Sequence, residues 1–71
     1  MKRFHGTKPM ITAGIDIGSI STKAVLLGDG EILASRVIFT GYNAEAAGKA
    51  ALGEALAQAK LEAGAVERIV A

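Results

Sequence analysis

Residues 14–23 read Gly14-Ile15-Asp16-Ile17-Gly18-Ser19-Ile20-Ser21-Thr22-Lys23. An apolar strand ends here in an acid, turns through glycine and serine, and continues into a second strand. An acid at a strand end can hold a hydrated cation, and a glycine followed by small hydroxyl residues leaves backbone N–H groups free to face phosphate oxygens. A lysine on the far side supplies positive charge to the same phosphates. The pattern predicts nucleotide-phosphate chemistry on a β-hairpin rather than at a helix N-terminus.

Other patterns account for this segment less well. A Walker loop requires Gly-x-x-x-x-Gly-Lys-Ser/Thr leading into a helix, and a Rossmann fingerprint requires a third glycine followed by a helix. The segment has neither feature. An ordinary turn is the remaining alternative, because Asp and Gly both favour turns. The spacing of Ser19, Ser21 and Lys23 between two apolar strands favours the phosphate loop.

Length and composition restrict the class of protein. The 71 residues make one small domain at most, with 51% hydrophobic and 21% charged residues and a net charge of +1. This near-neutral balance predicts neither a nucleic-acid partner nor an acidic membrane partner. The chain has no cysteine, which excludes a disulfide framework and a thiolate metal site within it. Its apolar runs are shorter than the roughly 18 residues of a membrane span, and a cytoplasmic location is expected.

The first nine residues form a separate segment in the sequence. Residues 1–9 carry three basic side chains and no acidic one, and Pro9 marks the boundary with the first strand. We expect a flexible basic leader here, because a signal peptide would need a sustained apolar run after its basic start. His5 has no potential co-ligand nearby and is expected to be solvated.

The rest of the chain reads as an α/β fold. The predicted elements are strands at 10–17, 22–28 and 31–40, a helix at 44–63 and a fourth strand from residue 66 onward. Asp29-Gly30 predicts a type I′ hairpin, Asn43 the helix N-cap and Gly64 the residue after the helix. A strand entered after a crossover helix should run parallel to the first strand, which predicts the sheet order third, second, first, fourth. Because the fourth strand stops at Ala71, we expect the opening part of a larger protein.

Hydrophobic periodicity predicts which faces are covered. In the first strand, alternation directs Asp16 away from the aliphatic face. The second strand is apolar on both faces and is expected to be covered on both. The predicted buried stripe of the helix consists of Gly48, Leu52, Ala55, Leu56, Ala59 and Ala63, with Leu61 outside it. One helix covers one sheet face, so we expect a bare second face and low stability.

The segment of residues 14–23 resembles the first phosphate loop of the actin-like ATPase superfamily, whose pattern is apolar-Asp-x-Gly-x-x-Ser/Thr-x-Lys/Arg. Residues 11–71 are further similar to the activator ATPases of 2-hydroxyacyl-CoA dehydratases and the ATPase subunits of benzoyl-CoA reductases. The residues that carry this similarity are residues 14–19, residues 21–27, the Asp29-Gly30 turn and the closing Ile69-Val70-Ala71. The resemblance implies a ribonuclease H-like half-domain fragment with the order strand-strand-strand-helix-strand. In it, residues 10–71 are the N-terminal part of an actin-like ATPase domain, truncated at the fourth strand.

The resemblance also implies roles for individual residues. Asp16 would be the catalytic residue, orienting Mg²⁺ through its water shell, and Lys23 would supply charge to the phosphates. The residues implied to bind phosphate through backbone or hydroxyl groups are Gly18, Ser19, Ile20, Ser21 and Thr22. Relatives often carry Thr where this chain has Ile20, which does not impair a site made mostly of backbone groups.

Cofactors and partners follow from the same resemblance. It implies ATP or ADP with Mg²⁺, a homodimer, and a four-iron–four-sulfur cluster bridging the two subunits of the full-length parent. ATP turnover would drive low-potential electron transfer to a partner dehydratase or reductase. The cluster ligands of that family are cysteines, and this chain has none. The second phosphate loop and the adenosine pocket would also lie outside these residues.

Two alternatives stay open. A sugar kinase of the same superfamily can begin with almost the same strands, although the third strand here runs through Gly41-Tyr42 into the helix without an insertion containing Pro and Trp. A non-catalytic ATP-binding reactivating or sensor subunit is the other alternative. Cysteines beyond residue 71 would favour the electron-transfer activator, and an Asp base with a sugar pocket would favour the kinase.

Overall fold

The computed structural model describes residues 10–70. The leader predicted at residues 1–9 and the terminal Ala71 lie outside this range. The elements within it are β1 (Ile11–Ile17), β2 (Ser21–Gly28), β3 (Glu31–Phe39), α1 (Ala44–Ala59), a 3₁₀ turn (Ala63–Ala65) and β4 (Val66–Val70). Each predicted strand and the predicted helix are present, and the largest boundary error is at the end of the helix.

The strands within residues 10–70 form a four-stranded mixed sheet in the order β3-β2-β1-β4. The pairs β1–β2 and β2–β3 are antiparallel, whereas β1–β4 is parallel. The predicted sheet order and the predicted direction of β4 are therefore confirmed. This order places β1 and β2 inside the sheet and β3 and β4 at its edges. The β1–β2 turn lies at one end of the two inner strands.

Local signals determine the β2–β3 turn and the start of the helix as the sequence predicts. Asp29 and Gly30 have φ angles of 55° and 80°, and positive φ at both central residues is the mark of a type I′ turn. Asn43 precedes α1 in an extended conformation, and its Oδ1 accepts a hydrogen bond from the Ala46 N–H at 3.0 Å. This bond satisfies one of the free donors in the first turn of the helix.

Small residues bring α1 close to the sheet. The buried cluster consists of Ala13, Ala24, Leu26, Ala34, Ala51, Ala55 and Leu56. Gly48 approaches the sheet closely, because a Cβ there would lie 3.2 Å from Ile17 Cδ1. Gly48 is buried, as its place in the predicted stripe implies. Ala47 and Ala51 are also buried, although they lie outside the predicted stripe, and Ala63 lies beyond α1 and is exposed.

The helix ends a turn earlier than predicted, and the prediction that Gly64 follows its end is wrong. Lys60 adopts a left-handed conformation with φ 60°. Its N–H donates to the Ala57 carbonyl at 3.1 Å, and the Leu61 N–H donates to the Leu56 carbonyl at 2.9 Å, which is a Schellman motif. Leu61 then packs against the core. This burial offsets the cost of about 1–2 kcal/mol for a left-handed residue other than glycine.

The sheet face opposite α1 is open within the described residues. Leu27 and its cross-strand partner Ile32 are 37% and 68% exposed, and Phe39 is 77% exposed. The prediction that β2 is covered on both faces is therefore wrong for residues 10–70, because α1 packs on one side of the sheet. The expectation of a bare second face is confirmed, and the low stability expected from it stays a prediction.

Candidate functional site

Residues 18–20 form the tip of the β1–β2 turn, where phosphate binding is predicted. The Gly18 N–H donates to the Ser21 carbonyl at 2.8 Å and closes the turn. A Cβ at Gly18 would lie 3.0 Å from the same carbonyl oxygen, too close for an ordinary side-chain contact. Glycine suits this position because two backbone segments approach closely, and a side chain would require the backbone to shift. The Gly18 N–H, one of the predicted phosphate donors, already has a partner within the loop.

Unlike the Gly18 N–H, two other N–H groups at the tip do not close the turn. Within residues 10–70, the N–H groups of Ser19 and Ile20 are involved in neither the turn and loop hydrogen bonds nor the side-chain hydrogen bonds. Both residues are exposed, and Ile20 is 72% exposed. Successive free N–H groups in a tight turn provide a concave site for an anion.

Asp16 and Lys23 lie opposite each other on neighbouring strands. They are register partners in the β1–β2 pair, so their side chains share one face of the sheet. Both are exposed, and the ion pairs formed within residues 10–70 involve neither of them. Strand alternation places Ser21 on this same open face. A Cβ at Gly14, two residues before Asp16, would meet no atom within 4 Å, so the face beside the acid has room for a ligand.

Thr22 lies on the other face of the sheet. Its side chain is fully buried, and its Oγ1 lies 2.8 Å from Thr40 Oγ1. In this structure the Thr22 hydroxyl does not reach the surface on which Asp16 and Lys23 lie. The predicted role of Thr22 in phosphate binding stays a prediction, and the contact that the structure gives its hydroxyl is with Thr40.

Thr40 contacts the loop from behind and was not among the predicted site residues. Its Oγ1 donates to the Gly18 carbonyl at 2.8 Å, and its N–H donates to the Ile20 carbonyl at 2.8 Å. A hydroxyl has one proton, so Thr40 Oγ1 accepts from Thr22 Oγ1 while donating to Gly18. Within residues 10–70, each buried side-chain nitrogen or oxygen has a partner. The sequence signal for Thr40 is strand alternation. Thr40 follows Ile38 by two residues and therefore lies on the face of β3 that α1 covers.

The opposite end of the sheet has a shallow depression of about 330 Å³, lined by Met10, Thr12, Leu27, Asp29 and Gly30. Its lining is mainly apolar and includes none of the predicted site residues. The charged and hydrogen-bonding groups predicted to bind phosphate therefore lie at the β1–β2 end, away from this depression.

The acidic side chains of the described residues are not gathered into a metal site. Residues 10–70 contain no group of three or more His, Cys, Asp or Glu side chains placed to hold a metal ion. Asp16 is a lone carboxylate, which suits a cation that keeps most of its water shell. With no cysteine in the chain, nothing here fits an iron–sulfur cluster. None of the helices in residues 10–70 has the length and hydropathy needed to cross a membrane.

The sheet order and the crossover helix are compatible with a fragment of an actin-like ATPase fold. A solved structure with a similar fold is (R)-2-hydroxyglutaryl-CoA dehydratase component A from Acidaminococcus fermentans, with a TM-score of 0.67 and 23% sequence identity. The match covers 86% of this chain and 30% of that protein. The similarity to a dehydratase component, which the sequence indicated, is confirmed at the level of the fold. No protein-family model matches this chain, and neither does any of the curated proteins.

Proposed function

We propose that residues 10–70 form the first phosphate-binding hairpin of an ATPase that activates a 2-hydroxyacyl-CoA dehydratase or a benzoyl-CoA-type reductase. One observation carries the proposal: within residues 10–70, the turn presents two N–H groups without a partner beside an acid and a lysine that share an open face. An ordinary hairpin turn needs neither the paired charges nor the free donors. A ribonuclease H-like arrangement of the parent domain belongs to the same proposal.

The loop would bind phosphate oxygens through the N–H groups of Ser19 and Ile20. Lys23 projects from the adjoining strand and would donate to a second oxygen of the same phosphate with a charge-assisted hydrogen bond. The Ser21 hydroxyl lies on the same face and adds a further donor. Successive backbone N–H groups in a tight turn form a concave site suited to phosphate oxygens.

Asp16 would act on the cation rather than on the phosphate. Mg²⁺ keeps several of its waters and binds proteins through one or two carboxylates together with substrate phosphates. An exposed carboxylate opposite Lys23 can accept hydrogen bonds from that water shell while the lysine holds the phosphate. The catalytic role proposed for Asp16 is therefore to orient the hydrated Mg²⁺ that would accompany the phosphate.

The wider activity depends on segments outside the described residues. We propose ATP and ADP as nucleotides, a homodimer, cytoplasmic location, and a dehydratase or reductase as the electron-accepting partner. The name of the structural neighbour, a dehydratase component, supports the partner. A four-iron–four-sulfur cluster would be held by cysteines that this chain lacks. The chain spans 30% of that neighbour, so binding at the hairpin is the activity to test first.

Amide chemical shifts provide that test. In the ¹⁵N-labelled chain, MgATP should shift the amide signals of Ser19 and Ile20 and leave those of the Asp29-Gly30 turn unchanged. Asp16→Asn should remove the difference between MgATP and ATP with EDTA, because an amide orients the hydrated cation poorly. Lys23→Ala should lower MgATP affinity by about tenfold, the effect of losing one charge-assisted hydrogen bond.

Two matched variants serve as controls. Asp29→Asn changes an exposed acid at the far turn to a residue that also tolerates positive φ, and Lys49→Ala removes an exposed lysine from α1. Neither should change nucleotide binding. Equal effects of Asp16→Asn and Asp29→Asn, or shifts confined to the far end of the sheet, would show that the β1–β2 turn is an ordinary turn. In the protein that carries this segment, Asp16→Asn should also lower Mg²⁺-dependent ATP turnover.

A further inference from the structure

Thr40 makes two hydrogen bonds to one short loop. Its Oγ1 and its N–H donate to the carbonyls of Gly18 and Ile20, each at 2.8 Å. Thr40 itself is buried, with 8% of its surface exposed, on the side of the sheet that α1 covers. Two of the carbonyls at the β1–β2 turn are therefore held by one residue that follows β3.

The geometry of the peptide bond links the contact at the Gly18 carbonyl to the direction of the Ser19 N–H. The Gly18 carbonyl and the Ser19 N–H belong to the same peptide, and in a planar trans peptide they point in opposite directions. The described residues contain no cis peptide bond. Holding the Gly18 oxygen toward Thr40 consequently turns the Ser19 N–H outward. The Ile20 N–H lies between the two anchored carbonyls, which restricts its direction as well.

We infer that Thr40 is a positioning residue for anion binding, which holds the loop so that the N–H groups of Ser19 and Ile20 face the phosphate. This inference rests on the proposed function of the hairpin. Thr22 contributes from behind Thr40, because its buried hydroxyl donates to Thr40 Oγ1 and leaves the Thr40 proton directed at Gly18. The chain of contacts runs from Thr22 through Thr40 to the backbone that would bind the ligand.

The test compares isosteric variants of the full chain, using MgATP as the probe. Thr40→Val removes the hydroxyl but keeps the N–H bond to Ile20, and we expect greater mobility of the Ser19 amide in ¹⁵N relaxation and about a tenfold loss of MgATP affinity. Thr40→Ser restores the hydroxyl and should bind within about threefold of the wild type. Thr22→Val should give an intermediate loss. Thr12→Val, the same change at the far end of β1, should change neither measurement.

The outcomes separate this inference from the proposed function. A wild-type chain whose Ser19 and Ile20 amides do not respond to MgATP overturns the proposed function. Wild-type binding together with unchanged loop mobility and affinity in Thr40→Val overturns the inference alone. If Thr40→Val does not fold, Thr22→Val decides, because unchanged Ser19 mobility and affinity in that variant contradict a role for the threonine pair.

Discussion

The two turns that join β2 to its neighbours lie at opposite ends of the same strand and are held in different ways. At one end, Asp29 and Gly30 adopt left-handed conformations that close a type I′ turn with their own residues. At the other end, the tip at residues 18–20 is held by Thr40, which is 20 or more positions away in the sequence. The first turn is determined locally, whereas the second combines a local hydrogen bond from Gly18 to Ser21 with contacts to Thr40 that depend on the folded sheet.

This difference bears on where a ligand can bind. A turn closed by its own conformation needs nothing behind it, and its shape follows from two residues. A turn held from behind by a buried side chain keeps its outward-facing N–H groups uncommitted, because other groups fix the backbone. We therefore expect an anion to bind at the β1–β2 turn, as proposed above, and not at the β2–β3 turn.

The largest expected effect comes from removing the support behind the β1–β2 turn. Thr40→Val should lower the free energy of unfolding by about 2–3 kcal/mol, because it leaves the buried Thr22 hydroxyl and the Gly18 carbonyl without partners. Urea denaturation of the wild type and the variant measures this change. Thr22→Val should cost less, about 1 kcal/mol, since the bond from Thr40 to Gly18 survives.

The double variant Thr22→Val/Thr40→Val completes the comparison. Its cost should be less than the sum of the single costs, because it no longer buries an unpaired hydroxyl. Strictly additive costs would mean that the two threonines act independently, and the contact of Thr22 with Thr40 would then add nothing to the bond from Thr40 to Gly18.

Much of the fold could be predicted because its signals are local. Alternation in β1, the Asp29-Gly30 pair and the Asn43 cap each act over a few residues and are confirmed. The coverage of β2 was predicted wrongly, because an apolar strand has the same sequence pattern whether one of its faces or both are packed. That distinction depends on elements elsewhere in the chain, which strand composition does not report.

A smaller effect is expected from substitutions of the glycines in the two turns. Gly18→Asn should cost about 1–3 kcal/mol, because its Cβ would press on the backbone carbonyl of Ser21. Gly30→Asn should cost roughly 0.5 kcal/mol or less, since asparagine tolerates the positive φ of that position. Thermal unfolding of both variants measures the difference. Equal costs would contradict the distinction between a turn limited by contact and a turn limited by φ.

The candidate site was only partly predictable, for the same physical reason. Asp16, Ser19 and Lys23 follow from spacing along one hairpin, and the structure places Asp16 and Lys23 opposite each other. The burial of Thr22 and the contact from Thr40 were not predictable in this way. They arise where β3 returns beside β2, and the sequence of the loop contains no sign of a residue that lies behind it.

The smallest expected effect tests the same contrast at the end of α1, where Lys60 is the local left-handed residue and Leu61 makes the contact with the core. Lys60→Gly should raise the free energy of unfolding by about 0.5–1 kcal/mol, because glycine adopts positive φ without the strain of a side chain, a gain partly offset by its freer unfolded state. Gly64→Ala should be neutral or stabilising by up to about 1 kcal/mol, since Gly64 is not left-handed and has open space where a Cβ would lie.

A helix that ended at Gly64 would give the opposite result for both variants. Lys60→Gly would then cost about 1 kcal/mol inside the helix, and Gly64→Ala would destabilise the protein by removing a left-handed cap. Melting temperatures resolve these cases, because 1 kcal/mol corresponds to about 4–8 °C in a domain of this size.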